Sequence, residues 1–265
     1  NKIEGMKKKL LINRKIVFAV VAFLVVVTVM VFMLNRNYND DLGNFAHAAD
    51  WYDYDWGYRT SITIDNTKVD ADLTDFPVLV NSTVADWAYT GSGGKVGQAG
   101  GGDFVFTTSD SVTKLSHEIE KYDNTTGQLV AWVKVPAVAN AADTVINLYY
   151  GNASVADQSD AENVWSNDYA AVWHMKDAAT STILDSTSNN NDGTKTGANS
   201  PIEADAKIGK GQTFSGANAT SNGTGAAITG SFTLETWINP VSNAWNNWGG
   251  VFGQIQRKSP ILYCY

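Results

Sequence analysis

The chain has 265 residues, 44% hydrophobic and only 17% charged, with 9 Trp, 11 Tyr, 10 Phe and 23 Gly. That length allows two modest domains, and an aromatic, Gly-rich, charge-poor composition suits a turn-rich all-β protein. A single cysteine, Cys264, excludes an intrachain disulfide and a cysteine-built metal site. The charge is unevenly spread. Six Lys/Arg against Glu4 give the first 34 residues +5, which leaves −13 for the remainder of a chain whose total is −8. So acidic a body argues against a nucleic-acid partner.

Met6, followed by Lys7-Lys8-Lys9, reads as a translation start, with Asn1 to Gly5 upstream of it. The apolar run Ile16 to Leu34 would make roughly 28 Å of helix, close to the hydrocarbon thickness of a bilayer. Basic residues precede it and Asp40-Asp41 follow, so the N-terminus is expected inside and the rest outside. Residues 1–34 are therefore a basic segment plus a transmembrane or signal-anchor helix, and 35–50 a stalk. Ala46-His47-Ala48 has the small-x-small form of a signal-peptidase site, so the product is either membrane-anchored or secreted after cleavage near Ala48.

Residues 51–152 read as a β-sandwich domain. Ser61 to Asp65 and Phe76 to Val80 are its early strands, followed by a loop with seven glycines between Gly91 and Gly102. Gly94-Lys95-Val96 lacks the hydroxyl and the helix of a phosphate-binding loop, so a flexible surface loop is expected there. Further strands are expected over Asp103 to Thr107, Lys114 to Tyr122, Gln128 to Val135 and Thr144 to Tyr150. Asp123-Asn124-Thr125-Thr126-Gly127 has the length and composition to close a hairpin between the two middle ones. Leu129, Ala131, Val133 and Val135 share one face at period 2, and Pro136 is expected to end that strand. Thr144 to Tyr150 suits a strand buried on both faces. Trp56 and Tyr58 are expected in the core, with Trp51 and Tyr52 left open.

The linker 153–167 holds one helical turn around Ser159 to Val164. A second motif set follows over 168–265: AVWHM from Ala171, LDSTSNNNDGT from Leu184, IGKGQTFSG from Ile208 and FTLETWINP from Phe232. In the last of these Phe232, Leu234, Thr236 and Ile238 alternate with Thr233, Glu235 and Trp237, as in a strand.

These motifs carry a resemblance. WYDYDWGYRTSITIDN, GGDFVFTTSD, LSHEIEKYD, LVAWVKVP and TVINLYYGN, in that order over Trp51 to Asn152, resemble a prokaryotic cell-surface module of unknown function. The motif order after Ala171 is similar to a concanavalin A-like, laminin G-like jelly roll. Residues 168–265 are fewer than such a domain requires, so a C-terminally truncated copy is implied. The resemblance also implies a calcium ion held by scattered carboxylates, for which Asp185 and Asp192 are the candidate side chains. Asp185 to Gly193 is not an EF-hand, because Asn190 and Thr196 stand where that loop needs Gly and Glu. Its other reading is a turn in which Asx side chains bond their own backbone.

Catalytic patterns are missing from the sequence. No serine sits in a Gly-x-Ser-x-Gly elbow and no His-Glu-x-x-His occurs. Glu118 and Glu120 would share a strand face about 7 Å apart, near the spacing of a glycosidase pair, but solvated strand residues are the plainer expectation. Trp245 and Trp248, in Asn-rich loop sequence, are the candidates for an exposed sugar-stacking platform. The reading is an all-β, non-catalytic, extracytoplasmic binding or adhesion protein with a glycan or cell-envelope partner. Its rivals are a structural spacer and the binding portion of a larger secreted hydrolase.

Overall fold

The computed structural model describes residues 51–166, 168–178, 181–196, 201–214, 220–223 and 231–239. The apolar run 16–34, the site at Ala48, and both Trp245 and Trp248 lie outside these. Among the described residues no helix is long and apolar enough to cross a membrane.

Two antiparallel sheets form the sandwich. One has the order β1-β7-β3-β4, from Tyr58–Ile64 (β1), Thr144–Tyr150 (β7), Val105–Thr108 (β3) and Lys114–Leu115 (β4). The other is β2-β6-β5, from Leu73–Thr83 (β2), Gln128–Val138 (β6) and His117–Asp123 (β5). Period-2 patterning decides what lies between them. Leu129, Ala131, Val133 and Val135 of β6 meet Ile146, Leu148 and Tyr150 of β7, with Phe104, Phe106 and Leu115, in one buried cluster. β7 lies between β1 and β3 and is buried on both faces, as its β-branched and aromatic run requires. The β5–β6 hairpin closes through Asp123, whose carboxylate accepts the Thr125 and Thr126 amides, and through Gly127 at φ 74°. A side chain at Gly127 would strike the Val84 carbonyl, so the turn needs glycine twice over.

Three expectations change. Pro136 does not end β6, which runs on to Val138 paired with Leu73. β5 begins opposite Val133, so beyond it only β2 flanks β6, and proline's missing N–H faces an unpaired side. Tyr58 is 41% exposed because it opens an edge strand; it stacks on Tyr150 beneath the Lys95 ammonium. The glycine loop is packed rather than loose. Val96 is fully buried, and Gly94 and Gly97 lie against the backbones of Ala88 and of Asn152-Ala153.

Asp103 explains that loop. Its carboxylate is fully buried and accepts backbone amides from Gly97, Gln98, Gly151 and Asn152 at 2.8–3.1 Å. The GGDFVF and YYGN motifs are thus two halves of one clamp. Next to it, the Trp56 indole donates to the Asp103 carbonyl at 2.7 Å. Trp56, Tyr149 and Val105, with Trp51 and Tyr52, make an aromatic layer over the outer face of the β1-β7-β3-β4 sheet.

After Tyr150 the chain makes one helical turn, Ala161–Val164 (α1), where one was expected. Short strands then form a β12-β9-β8 sheet, from Thr220–Gly223 (β12), Gly193–Thr196 (β9) and Thr182–Ile183 (β8), and a β10-β11 hairpin, Ile202–Asp205 with Lys210–Thr213. Residues from 227 form a separate compact unit. Within it the expected strand Phe232 to Ile238 has no regular structure, and Phe232, Leu234, Trp237 and Ile238 are exposed.

Candidate functional site: a buried glutamate–histidine cluster

β5 alternates in and out of the sandwich. His117 points inward against Phe106 at 5.2 Å, so Glu118, directly opposite Trp132 on β6, points outward. A register shift between Ile119 and Lys121 makes Glu120 the extra residue of a β-bulge, the usual device for re-aiming a side chain. Glu118 and Glu120, expected to be solvated, are both buried. What buries them is the chain after Asp160, which crosses the outer face of this sheet.

Each Glu118 oxygen has two partners. Oε2 accepts from the Trp165 indole at 2.7 Å and meets His174 Nε2 at 3.0 Å. Oε1 accepts from Ser186 Oγ at 2.9 Å and from Lys176 Nζ at 3.2 Å. Glu120 Oε2 accepts from the Trp132 indole at 2.6 Å and lies 3.3 Å from His174 Nδ1. Both imidazole nitrogens therefore face carboxylates, which requires the doubly protonated ring. That cation stacks on Trp132 at 6.3 Å and leans on Trp165 at 5.7 Å.

The electrostatics follow from this packing. Burial alone would drive His174 towards neutrality, but hydrogen bonds and charge from Glu118 and Glu120 outweigh it and raise its pKa to about 9. Burial likewise works against the Glu118 anion; His174, Lys176 and Trp165 overcome it and hold that carboxyl well below the usual range. Two carboxylates and two cations leave the cluster formally neutral, the arrangement in which buried charge is tolerable. On the opposite side of β5, neither His117 nitrogen has a hydrogen-bond partner among the described residues. Burial, then Lys114, pushes its pKa down to about 4 against the opposing charge of Asp157.

A cleft of about 300 Å³ opens at the edge of the cluster, reached by Glu118, Glu162, His174, Lys176, Asp177 and Ser186. Ser186 Oγ donates to Glu118 and does not face the imidazole, so Ser186 and His174 make no nucleophile–base pair in this arrangement. A glycosidase acid must keep a carboxyl protonated near neutrality, and the shift at Glu118 is in the opposite direction.

Residues 100–194 match a domain of unknown function, DUF2341. The DUF2341 stretch runs from the glycine clamp through β3 to β7 and on past His174 to Thr194, so it holds both halves of the buried cluster. No curated protein and no solved structure matches the chain.

The sequence-chosen residues fall as follows. Asp185 accepts the Val172 and Thr187 amides on Oδ1, and the Asn191 amide and Thr187 Oγ1 on Oδ2, at 2.8–3.0 Å. Asp192 Oδ1 accepts the Asp185 amide at 2.9 Å. The two carboxylates thus bond backbone amides in and beside the 185–192 turn. Among the described residues no group of three His, Cys, Asp or Glu side chains is placed to hold a metal ion. Sequence reasoning missed Trp132, Trp165, Lys176 and Ser186. Trp132 was visible as an aromatic on the nominally polar face of LVAWVKV, next to Glu118 and Glu120, and a hydrophobic residue there signals a covered face.

Proposed function

We propose that this chain is an extracytoplasmic cell-surface protein that binds or adheres to a glycan or envelope component and breaks no bonds. The observation that carries the reading is the state of the Glu118–His174–Glu120 cluster. Its ionisable groups satisfy one another, which suits a scaffold and leaves none poised as base or nucleophile. The basic flank and apolar run at 16–34 support delivery to the membrane with 51 onward outside. In this reading the chain from 168 begins a laminin G-like jelly roll, Trp245 and Trp248 contact the ligand, and calcium, if used, binds near Asp185 and Asp192. The internally closed cluster equally suits a spacer in a surface layer or stalk.

Glycan-array binding by the full chain in mild detergent separates the two. Binding that is lost in Trp245→Ala or Trp248→Ala supports the lectin reading, and loss with chelator adds the calcium. A blank array with folded protein leaves the spacer. Protease treatment of intact cells, expected to digest residues beyond 51, tests the orientation.

A further inference from the structure

We propose that Glu118, Glu120 and His174 form a charge-dependent lock: they dock residues 160–213 on the outer face of the β2-β6-β5 sheet, and loss of one charge releases that segment as a unit while the sandwich stays folded.

Among the described residues the polar ties to the sheet converge, and the aromatic ones meet at Trp132 beside them. Trp165, His174, Lys176 and Ser186 all end on the one carboxylate of Glu118, and His174 adds Glu120. Lys176 also reaches the Ile119 carbonyl, and Gly209, at φ 53°, lies flat against the Glu120 carboxylate. Outside this point the segment is held by Asp160, bonded to the His117 carbonyl and to Ser116, and by an exposed Lys134–Ser166 pair. Of its buried apolar residues, Val164, Trp165 and Ile183 belong to neither hydrophobic cluster of the sandwich, and Trp165 packs edge-on against Trp132 at 5.2 Å beside the same glutamates.

The segment is, in contrast, well bonded within itself. Lys195 donates to the Asp177 carbonyl, Gln212 to the Met175 carbonyl at 2.8 Å, and the Lys195 amide to Ser181. Asp185 ties residue 172 to residues 187 and 191. Internal bonds that outnumber the docking contacts, most of which meet at one charged junction, are what let a region open cooperatively below the global unfolding free energy.

Removing one partner of a buried ion set leaves the others uncompensated. The charged groups around His174 are Glu118 and Glu120 from β5, Lys176 and Asp177 from its own strand of chain, Glu162 from α1 and Asp185 from the turn. Lys195 and Glu203 act on Asp177 from β9 and β10. Neutral His174 leaves Lys176 alone against the two glutamates, so opening is favoured as pH rises through the His174 pKa.

Limited proteolysis of the full chain, read by mass spectrometry, tests this. In His174→Gln and Glu118→Gln, cleavage within 161–213 should accelerate at least about tenfold, with 58–150 still resistant. Wild type should show the same selective cleavage between pH 8 and 10, and His174→Gln should lack that pH dependence. Should the variants fold poorly, hydrogen exchange on wild type across that range decides alone: amides of 161–196 should lose protection before those of β6 and β7. Simultaneous loss in both regions, or no loss in either, overturns the lock.

Discussion

The two outer faces of the sandwich are covered by opposite means. Over the β1-β7-β3-β4 sheet lies an aromatic layer: Trp51, Tyr52 and Trp56 on Tyr149, pinned where the Trp56 indole meets Asp103. Over the β2-β6-β5 sheet lies a charged one, in which two tryptophans and an imidazolium close around two glutamates. Aromatic burial is non-directional and indifferent to pH, and it fails only when volume is removed. A buried ion set depends on geometry and protonation, so it specifies one docked arrangement and also supplies a way to undo it. One face is built to stay shut, the other to be conditional.

Breaking the permanent side should cost most. Asp103→Ala orphans four backbone amides around a fully buried carboxylate, at about 1–3 kcal/mol for each one shut off from water, and is expected to abolish cooperative folding in a thermal melt. Trp56→Ala should lower unfolding free energy by about 3–5 kcal/mol, with the same loss at pH 6 and pH 9. On the conditional side, Glu118→Ala should cost about 3 kcal/mol, because buried His174 keeps only Glu120 and the half-buried Lys176 only the Ile119 carbonyl. The double change Glu118→Leu with His174→Leu should recover much of that loss in denaturant titrations. Failure to recover would mean that the glutamate contributes more than charge balance.

The pH profile sharpens the contrast further. His174 has a raised pKa, so its contribution is full below the ordinary imidazole value and is lost as pH rises through about 9. His117 has a depressed pKa, so its contribution is full above the ordinary value and is lost as pH falls through about 4. Together they place maximum stability near neutrality. His117→Phe should flatten only the acid limb in chemical denaturation, and His174→Gln only the alkaline one. The smallest effect belongs to the exposed Asp86–Lys95 pair at 2.7 Å, whose removal should leave the denaturation midpoint essentially unchanged.

Much of the sandwich core was legible. Alternation in LVAWVKV assigned the inner face correctly, and Asp123 to Gly127 gave the hairpin, because both signals are local. Asp103 was not legible as a clamp: its four amides come from residues 97–98 and 151–152, brought together only by tertiary structure. The charged face was read as solvated because Glu118 and Glu120 sit on a strand whose cover arrives more than forty residues later. Pattern alone cannot report that a polar face will be roofed, although Trp132 among those positions hinted at it. Pro136 misled because the proline rule concerns ladder bonds, and the position has a neighbour on one side only.

The account rests most on His174 being a buried imidazolium held between two glutamates. An NMR titration of its ring nitrogens in the isotope-labelled protein measures that directly. The account predicts both nitrogens protonated at neutral pH, with titration near 9. A ring that titrates near the ordinary imidazole value, or is neutral at pH 7, would contradict it.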